Sequence, residues 1–326
     1  MLGTMSRRFL LPLLCMLVII SSCPATGLLL QYDTSFVEGF FLSIDDPSLY
    51  PSTNFQVHLV QEQPSSAPLS NVTSWLCVYS DVSVDDILKT DYDLVDIDPD
   101  AFSHQGINTL RESGKIVIAY LSVGEAEDYR YYWDSEADYL LEENPDWPGC
   151  WYVDYTHPEW QRILINEYIP MIRSKGFDGL YLDTVETYHV QESYPNCTKD
   201  AMIAFVTAIA KNFRSTDFCI IMQNGLDIAS ELFDHIDGVA VEETYFRAVY
   251  CPILGWHING IPQNPATRRD NEQRMREALD EGLVVFTLDY AVLPFQVIRC
   301  YTMSQAKGFI PYVSTAELNR IFPHSQ

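Results

Sequence analysis

Gly176–Phe177–Asp178–Gly179–Leu180–Tyr181–Leu182–Asp183–Thr184–Val185–Glu186 is the stretch on which the fold turns. Lys175 and Gly176 form a basic last turn and a glycine stop, the sequence of a helix end. Gly179 to Leu182 is a short apolar run, the pattern of a strand covered on both faces. Asp183 follows where that strand stops. Active sites of α/β barrels are built at the C-terminal ends of their strands. An acid in that position is therefore a catalytic candidate, the plain alternative being a carboxylate that caps the next turn.

The pattern recurs. From Ser74 onward, apolar runs at Trp75–Tyr79, Leu94–Ile97, Ile116–Leu121, Gly179–Leu182, Phe218–Met222, Gly238–Val241, Leu283–Leu288 and Gly308–Val313 alternate with helical stretches. The helices are expected at Val84–Lys89, His104–Ser113, Pro158–Lys175, Asp200–Arg214, Ile228–His235, Arg269–Glu281 and Phe295–Met303. Thr156 is the expected N-cap of the third, with Pro158 in its first turn and Glu159 completing a capping box. Pro170 should kink that helix. Eight strands alternating with helices over about 240 residues predict a single (β/α)₈ TIM barrel, an α/β fold, over 74–326. A doubly wound sheet is disfavoured because no GxGxxG follows the first strand.

Ahead of the barrel, Arg7 and Arg8 precede a twelve-residue apolar run, Phe9–Ile20, and a small-residue segment ending at Gly27. This is the layout of a secretory signal peptide over 1–27, and it predicts a secreted protein with no membrane attachment after cleavage. A lipoprotein anchor at Cys23 is the lesser alternative. Residues 28–73, with Pro64–Ser65–Ser66–Ala67–Pro68, read as an extension or linker. Six cysteines remain, Cys77, Cys150, Cys197, Cys219, Cys251 and Cys300, enough for three disulfides in any of fifteen pairings, or for buried free thiols. Asn71 and Asn196 head glycosylation sequons.

The whole chain carries a formal charge of −25. Without the leader, 18 basic residues face 45 acidic ones, or −27. Such a surface repels nucleic acid and anionic membranes and suits a cationic partner, the plainer alternative being simple solubility.

Polar groups gather at the strand ends: Asp81, then Asp96 and Asp98, Glu125 and Glu127, Asp183, Asn224, Glu242 and Glu243, Asp289 and Tyr290. Carboxyl groups buried together take up different protonation states. One can then protonate a leaving group while another attacks or activates water, which is what glycosidic cleavage requires, without a metal or cofactor. Between the third and fourth strands an insertion carries Tyr129, Tyr131, Trp133 and Trp151, aromatics suited to sugar faces or to packing the insertion down.

At Ile118–Ala119–Tyr120–Leu121–Ser122–Val123–Gly124–Glu125–Ala126–Glu127–Asp128–Tyr129–Arg130, Asn144–Pro145–Asp146–Trp147–Pro148–Gly149 and Gly176–Asp183 the chain resembles glycoside hydrolase family 114. Within it, the chain is most similar to the secreted bacterial-type endo-α-1,4-polygalactosaminidase-like branch. The resemblance spans roughly Trp75 to Val313. It implies cofactor-free hydrolysis of α-1,4-linked galactosamine polymers on a (β/α)₈ barrel, with catalytic acids after the fourth and sixth strands. Those positions are Asp183 and Glu242. Glu243 should turn the other way, because neighbours along a strand alternate. Asp81, Asp98, Glu125, Asn224, Glu243, Asp289 and Tyr290 complete the expected substrate-binding set with the four aromatics. A sugar-binding barrel without catalysis, or a hydrolase of another α-glycan, would share these features.

Overall fold

The structure, a computed structural model, describes residues 68–323 apart from 81, 191–193, 252 and 254. The expected leader, most of the extension and Asp81 lie outside those residues.

Eight parallel strands form one sheet in chain order: β1 Trp75–Val78, β2 Leu94–Ile97, β3 Ile116–Ser122, β4 Gly179–Asp183, β5 Cys219–Gln223, β6 Gly238–Glu242, β7 Val284–Tyr290 and β8 Ile310–Ser314. The sheet curls until β8 lies beside β1, and Tyr79 N donates to Leu318 O at 2.9 Å across that seam. All eight expected strands are present within two residues of their ends. Between them lie α1 Val84–Leu88, α2 His104–Glu112, α3 over 158–174, α4 Lys199–Phe213, α5 Ala229–Leu232, α6 Pro265–Asp280 and α7 Pro294–Gln305.

Alternation along the strands sorts the barrel interior into layers. Trp75 of β1 packs against Tyr181 of β4, Phe286 of β7 and Tyr312 of β8, with ring centroids 6.0, 5.2 and 6.1 Å away. This aromatic plug fills the lower barrel. Further towards the C-terminal ends of the strands, the inward positions become polar: Cys77 and Tyr79, Asp96, Tyr120, Asp183, Gln223, Glu242 and Tyr290. The barrel thus has a dry floor and an acidic mouth.

Leu69 and Val72 pack into the main core, and Asp93 accepts hydrogen bonds from Thr73 and Ser74, so the chain joins the domain a few residues ahead of β1.

Three local expectations change. His157, not Thr156, caps α3, its Nδ1 accepting from Glu159 N at 3.2 Å, because the Thr156 hydroxyl is held by Asp154. Glu159 forms no capping box and pairs with Arg162. Ahead of Pro170 the helix widens into a π-helical turn, Ile163–Tyr168, which accommodates the missing N–H. Lys175–Gly176 ends α3 as expected, with Gly176 at φ +94°, where a side chain would be strained.

Among the described residues the cysteines form no disulfide: all six carry free thiols on separate elements, Cys77 inside the barrel and Cys300 on α7. The insertion after β3 is a three-stranded antiparallel sheet of Glu125–Glu127, Leu140–Glu143 and Cys150–Val153, the last in the middle. After β6 an antiparallel hairpin, Phe246–Cys251 with Trp256–Pro262, has no counterpart among the sequence expectations.

Candidate active site

Three neighbouring strands end in the same way. β4 stops at Asp183, β5 at Gln223 and β6 at Glu242, and the next residues, Thr184, Asn224 and Glu243, have φ of 61°, 53° and 54°. Left-handed backbone at non-glycine residues costs on the order of 1–3 kcal/mol each and persists only where the surroundings enforce it. Here it turns the chain out of the barrel at once, so each last strand residue keeps its inward direction.

The enforcing contacts are specific. Thr184 N donates to Asp183 Oδ1 at 2.7 Å, and its hydroxyl oxygen accepts from Gly124 N at 2.8 Å. A Cβ on Gly124 would sit 2.4 Å from Thr184 O, so only glycine lets the loop carrying Glu125 come this close. Asn224 Oδ1 accepts from Glu242 N at 3.1 Å, and its Nδ2 donates to Glu186 Oε1 at 3.0 Å. Asn224 therefore ties Glu186 to the end of β6.

Electrostatics follows from this crowding. Burial, then Asp183, pushes the Glu242 carboxyl up to about 8, against the hydrogen bond from Tyr290 at 2.5 Å. Burial raises Asp183 to about 6, held there by the Thr184 N–H and the Tyr120 hydroxyl. Glu186 reaches about 8 through burial and Asp183, and its Oε2 has no partner. Glu125 reaches about 7 through burial, moderated by Asn144 Nδ2 at 2.8 Å. Asp96, below them, is buried and raised well above the carboxylate range, with Tyr79 donating to it at 2.6 Å. Asp183 and Glu242 remain partly open to solvent at the mouth. Among the described residues, none of these five carboxyls pairs with Lys, Arg or His. The nearby Arg130 is taken up by Asp98, Asp100 and Glu127. No three His, Cys, Asp or Glu side chains among the described residues are grouped to hold a metal ion.

Compared with known proteins, residues 57–326 match the model of glycoside-hydrolase family GH114. The chain belongs to GH114. It is a glycoside hydrolase by that membership. An uncharacterised Methanocaldococcus jannaschii protein is 30% identical over 321 residues, covering 86% of this chain and 88% of its own. An uncharacterised Deinococcus radiodurans protein is 31% identical over 277 residues, with coverages of 79% and 85%. The glycoside hydrolase domain of PelA from Pseudomonas aeruginosa superposes with a TM-score of 0.62 at 19% identity, covering 77% of this chain and 97% of that one. Ega3 of Aspergillus fumigatus, solved with galactosamine, gives 0.60 at 19% identity, covering 81% and 98%. At such identities the likeness concerns the barrel.

In this GH114 chain, Asp183, Glu242, Glu125, Asn224 and Tyr290 meet at the mouth. Asp289 does not. It has the opposite parity to Tyr290 on β7 and points outward, its Oδ1 accepting from Tyr245 N and Phe246 N at 2.6 and 2.8 Å. Glu243 also turns away and anchors the hairpin, accepting from Ala248 N at 2.9 Å. Asp98 is held by Arg130 at 2.8 Å, alongside Glu127 at 2.7 Å. Tyr129 lies over that guanidinium at 4.7 Å, hydrogen-bonded to Glu127 and otherwise open to solvent. Tyr131 packs against Tyr132 and Tyr168 on the α3 flank rather than over Asp183. Trp133 and Trp151 pack on each other at 5.8 Å, joining the insertion together.

Glu186, Asp96, Tyr79 and Tyr120 escaped the substrate-binding set. Strand parity would have found Tyr79, Asp96 and Tyr120. Glu186 lies three residues past Asp183 in a turn, where no periodicity points inward.

One consequence concerns stability. A carboxyl raised by burial favours the fold while protonated, and that contribution is lost as pH climbs from its unfolded value through its folded one. Glu186→Gln keeps the Asn224 contact and removes this penalty. Its Tm should exceed wild type by several degrees at pH 8, and the gap should close near pH 4.5. Equal melting curves at both pH values would contradict the assigned protonation.

Proposed function

We propose that this GH114 protein is a secreted hydrolase of α-1,4-linked galactosamine-type polysaccharide, with Asp183 and Glu242 as its catalytic pair. The carrying observation is the cluster of Glu125, Asp183, Glu186 and Glu242 at the mouth, with Asp96 below it, to which no basic side chain is paired among the described residues. Asp183, raised only to about 6 and ionised near neutral pH, has no counter-charge, and a substrate bearing ammonium groups supplies one. The negative chain as a whole and the galactosamine held by Ega3 support the same substrate class. The N-terminal leader pattern and the exposed sequon residues Asn71 and Asn196 support export.

The pair divides its labour by environment. Near neutral pH Asp183, at about 6, is ionised, and Glu242, at about 8, is protonated. Glu242 donates its proton to the glycosidic oxygen as that bond breaks, and the leaving chain departs as an alcohol. Asp183 attacks the anomeric carbon, or deprotonates the water that does. One water is consumed, and one new reducing end forms. Glu125, Glu186 and Asn224 hold the amine and hydroxyls of the sugar at the cleavage point.

Reducing-end release across pH tests this. kcat/KM should rise through about 6 as Asp183 loses its proton and fall through about 8 as Glu242 loses its own, giving a bell. A rate flat across that window would contradict the assignment. Binding of the polymer with no release at any pH would instead favour a sugar-binding barrel without turnover.

A further inference from the structure

The insertion after β3 and the hairpin after β6 leave the same end of the barrel from strands separated by β4 and β5. They nonetheless meet. Trp147 of the insertion stacks on His257 of the hairpin, with centroids 5.1 Å apart and planes at 26°, and Tyr250 leans on the same imidazole at 5.3 Å. At this contact the hairpin lies against the segment after β8, where Asn259 Oδ1 accepts from Ala316 N at 2.9 Å. A stack that served only to join two loops would be expected to bury its rings. Instead Trp147 is 48% exposed and Tyr250 40%. Exposed rings gathered on one imidazole make a contiguous apolar patch, the kind of surface that serves binding.

Its position is fixed from within the site. Glu125 accepts from Asn144 Nδ2 at 2.8 Å, and Asn144 shapes the turn that carries Trp147: its Oδ1 takes Asp146 N at 3.0 Å and its carbonyl takes Trp147 N at 3.2 Å. A rigid path thus runs from a carboxyl at the mouth to the exposed indole. Carboxylates flank the rings, Asp146 next in sequence and Glu317 Oε1 3.8 Å from His257 Nδ1. Aromatic faces take the apolar face of a sugar ring, and both they and the carboxylates attract an ammonium group.

We infer that Trp147, Tyr250 and His257 form an outer subsite that binds an amino-sugar residue of the polysaccharide some units away from the cleavage point. The inference rests on the proposed function and adds to it a preference for long chains. Asn144 is its positioning residue, coupling the subsite to Glu125.

The test is a series of α-1,4-galactosamine oligomers of increasing length, and the polymer, with wild type, Trp147→Ala and Trp147→Phe. Trp147→Ala should lose about tenfold in kcat/KM on long chains, with the loss shrinking steadily as the chain shortens, and Trp147→Phe should recover most of it. Equal loss at every length, or a lowered Tm that accounts for the loss, would assign Trp147 to the fold and overturn the subsite. So would no loss anywhere. Calorimetric binding of the same oligomers to Glu242→Gln, with and without Trp147→Ala, separates the two claims. If wild type cuts nothing, the proposed function falls, and the binding series alone decides. Weakening by Trp147→Ala that grows with length upholds the subsite, and unchanged or absent binding overturns it.

Discussion

Asp183→Asn and Glu242→Gln should each lower kcat on galactosamine polymer by roughly 10³-fold, within the range that acid–base groups contribute. Neither change removes a structural contact. An asparagine at 183 still accepts from Thr184 N, and a glutamine at 242 still accepts from Tyr290, whose hydroxyl lies 2.5 Å from Glu242. Both amides relieve the burial that raises these carboxyls, so melting temperatures should hold or rise at pH 8. The pH profiles should differ in kind. Residual activity of Glu242→Gln should lose the falling limb near 8, and that of Asp183→Asn should lose the rising limb near 6. Both variants retaining wild-type kcat, measured by reducing-end release, would remove the pair from the mechanism.

Arg130→Met should be the most damaging single change outside the proposed catalytic pair. Arg130 is 3% exposed and neutralises Asp98, Asp100 and Glu127 at 2.8, 2.9 and 2.7 Å. Taking one partner from a buried ionic network leaves uncompensated charge and costs about 3–5 kcal/mol. Burial already lifts Glu127, and Arg130 is what opposes that rise. Without the guanidinium, the folded pKa of Glu127 climbs further. The folded state then gains protons relative to the unfolded one, so the deficit should be largest near pH 7 and shrink as pH falls through the carboxylate range. Urea titrations at pH 7 and pH 4.5 check both the size and the sign. A deficit under about 1 kcal/mol, the scale of a surface ion pair, would show that the network is dispensable.

Much of this was legible in the chain because the barrel writes itself as a repeat. Each parallel strand is covered on both faces and so reads as a short apolar run, and Gly176 and Pro158 mark helix ends by backbone chemistry alone. Asp183 and Glu242 were visible as acids at strand ends for the same reason. Parity decided what composition could not. Asp289 and Tyr290 are adjacent in sequence, yet one holds the hairpin backbone outside the barrel and the other faces Glu242 inside it. The length of β7 sets that choice, and its end could be placed only to within a residue or two. The left-handed turns at Thr184, Asn224 and Glu243 were not legible, because none of these residues is glycine and the enforcing contacts come from other strands. The hairpin after β6 was missed because its strands are partly exposed and polar, with Asn259 and Gly260 interrupting the alternation. With it went the meeting of Trp147 and His257, two residues 110 positions apart whose stack depends on how both insertions fold.

The central claim is that uncompensated carboxyls at the barrel mouth select an amino-sugar chain for cleavage. The most direct measurement compares reducing-end release by wild type on deacetylated α-1,4-galactosamine polymer with release on the same polymer after complete N-acetylation, at pH 7. Release from the deacetylated chain, with at least a tenfold loss on the acetylated one, is the predicted result. Equal or faster cleavage of the acetylated polymer would contradict it, because the acids would then be reading something other than the ammonium charge.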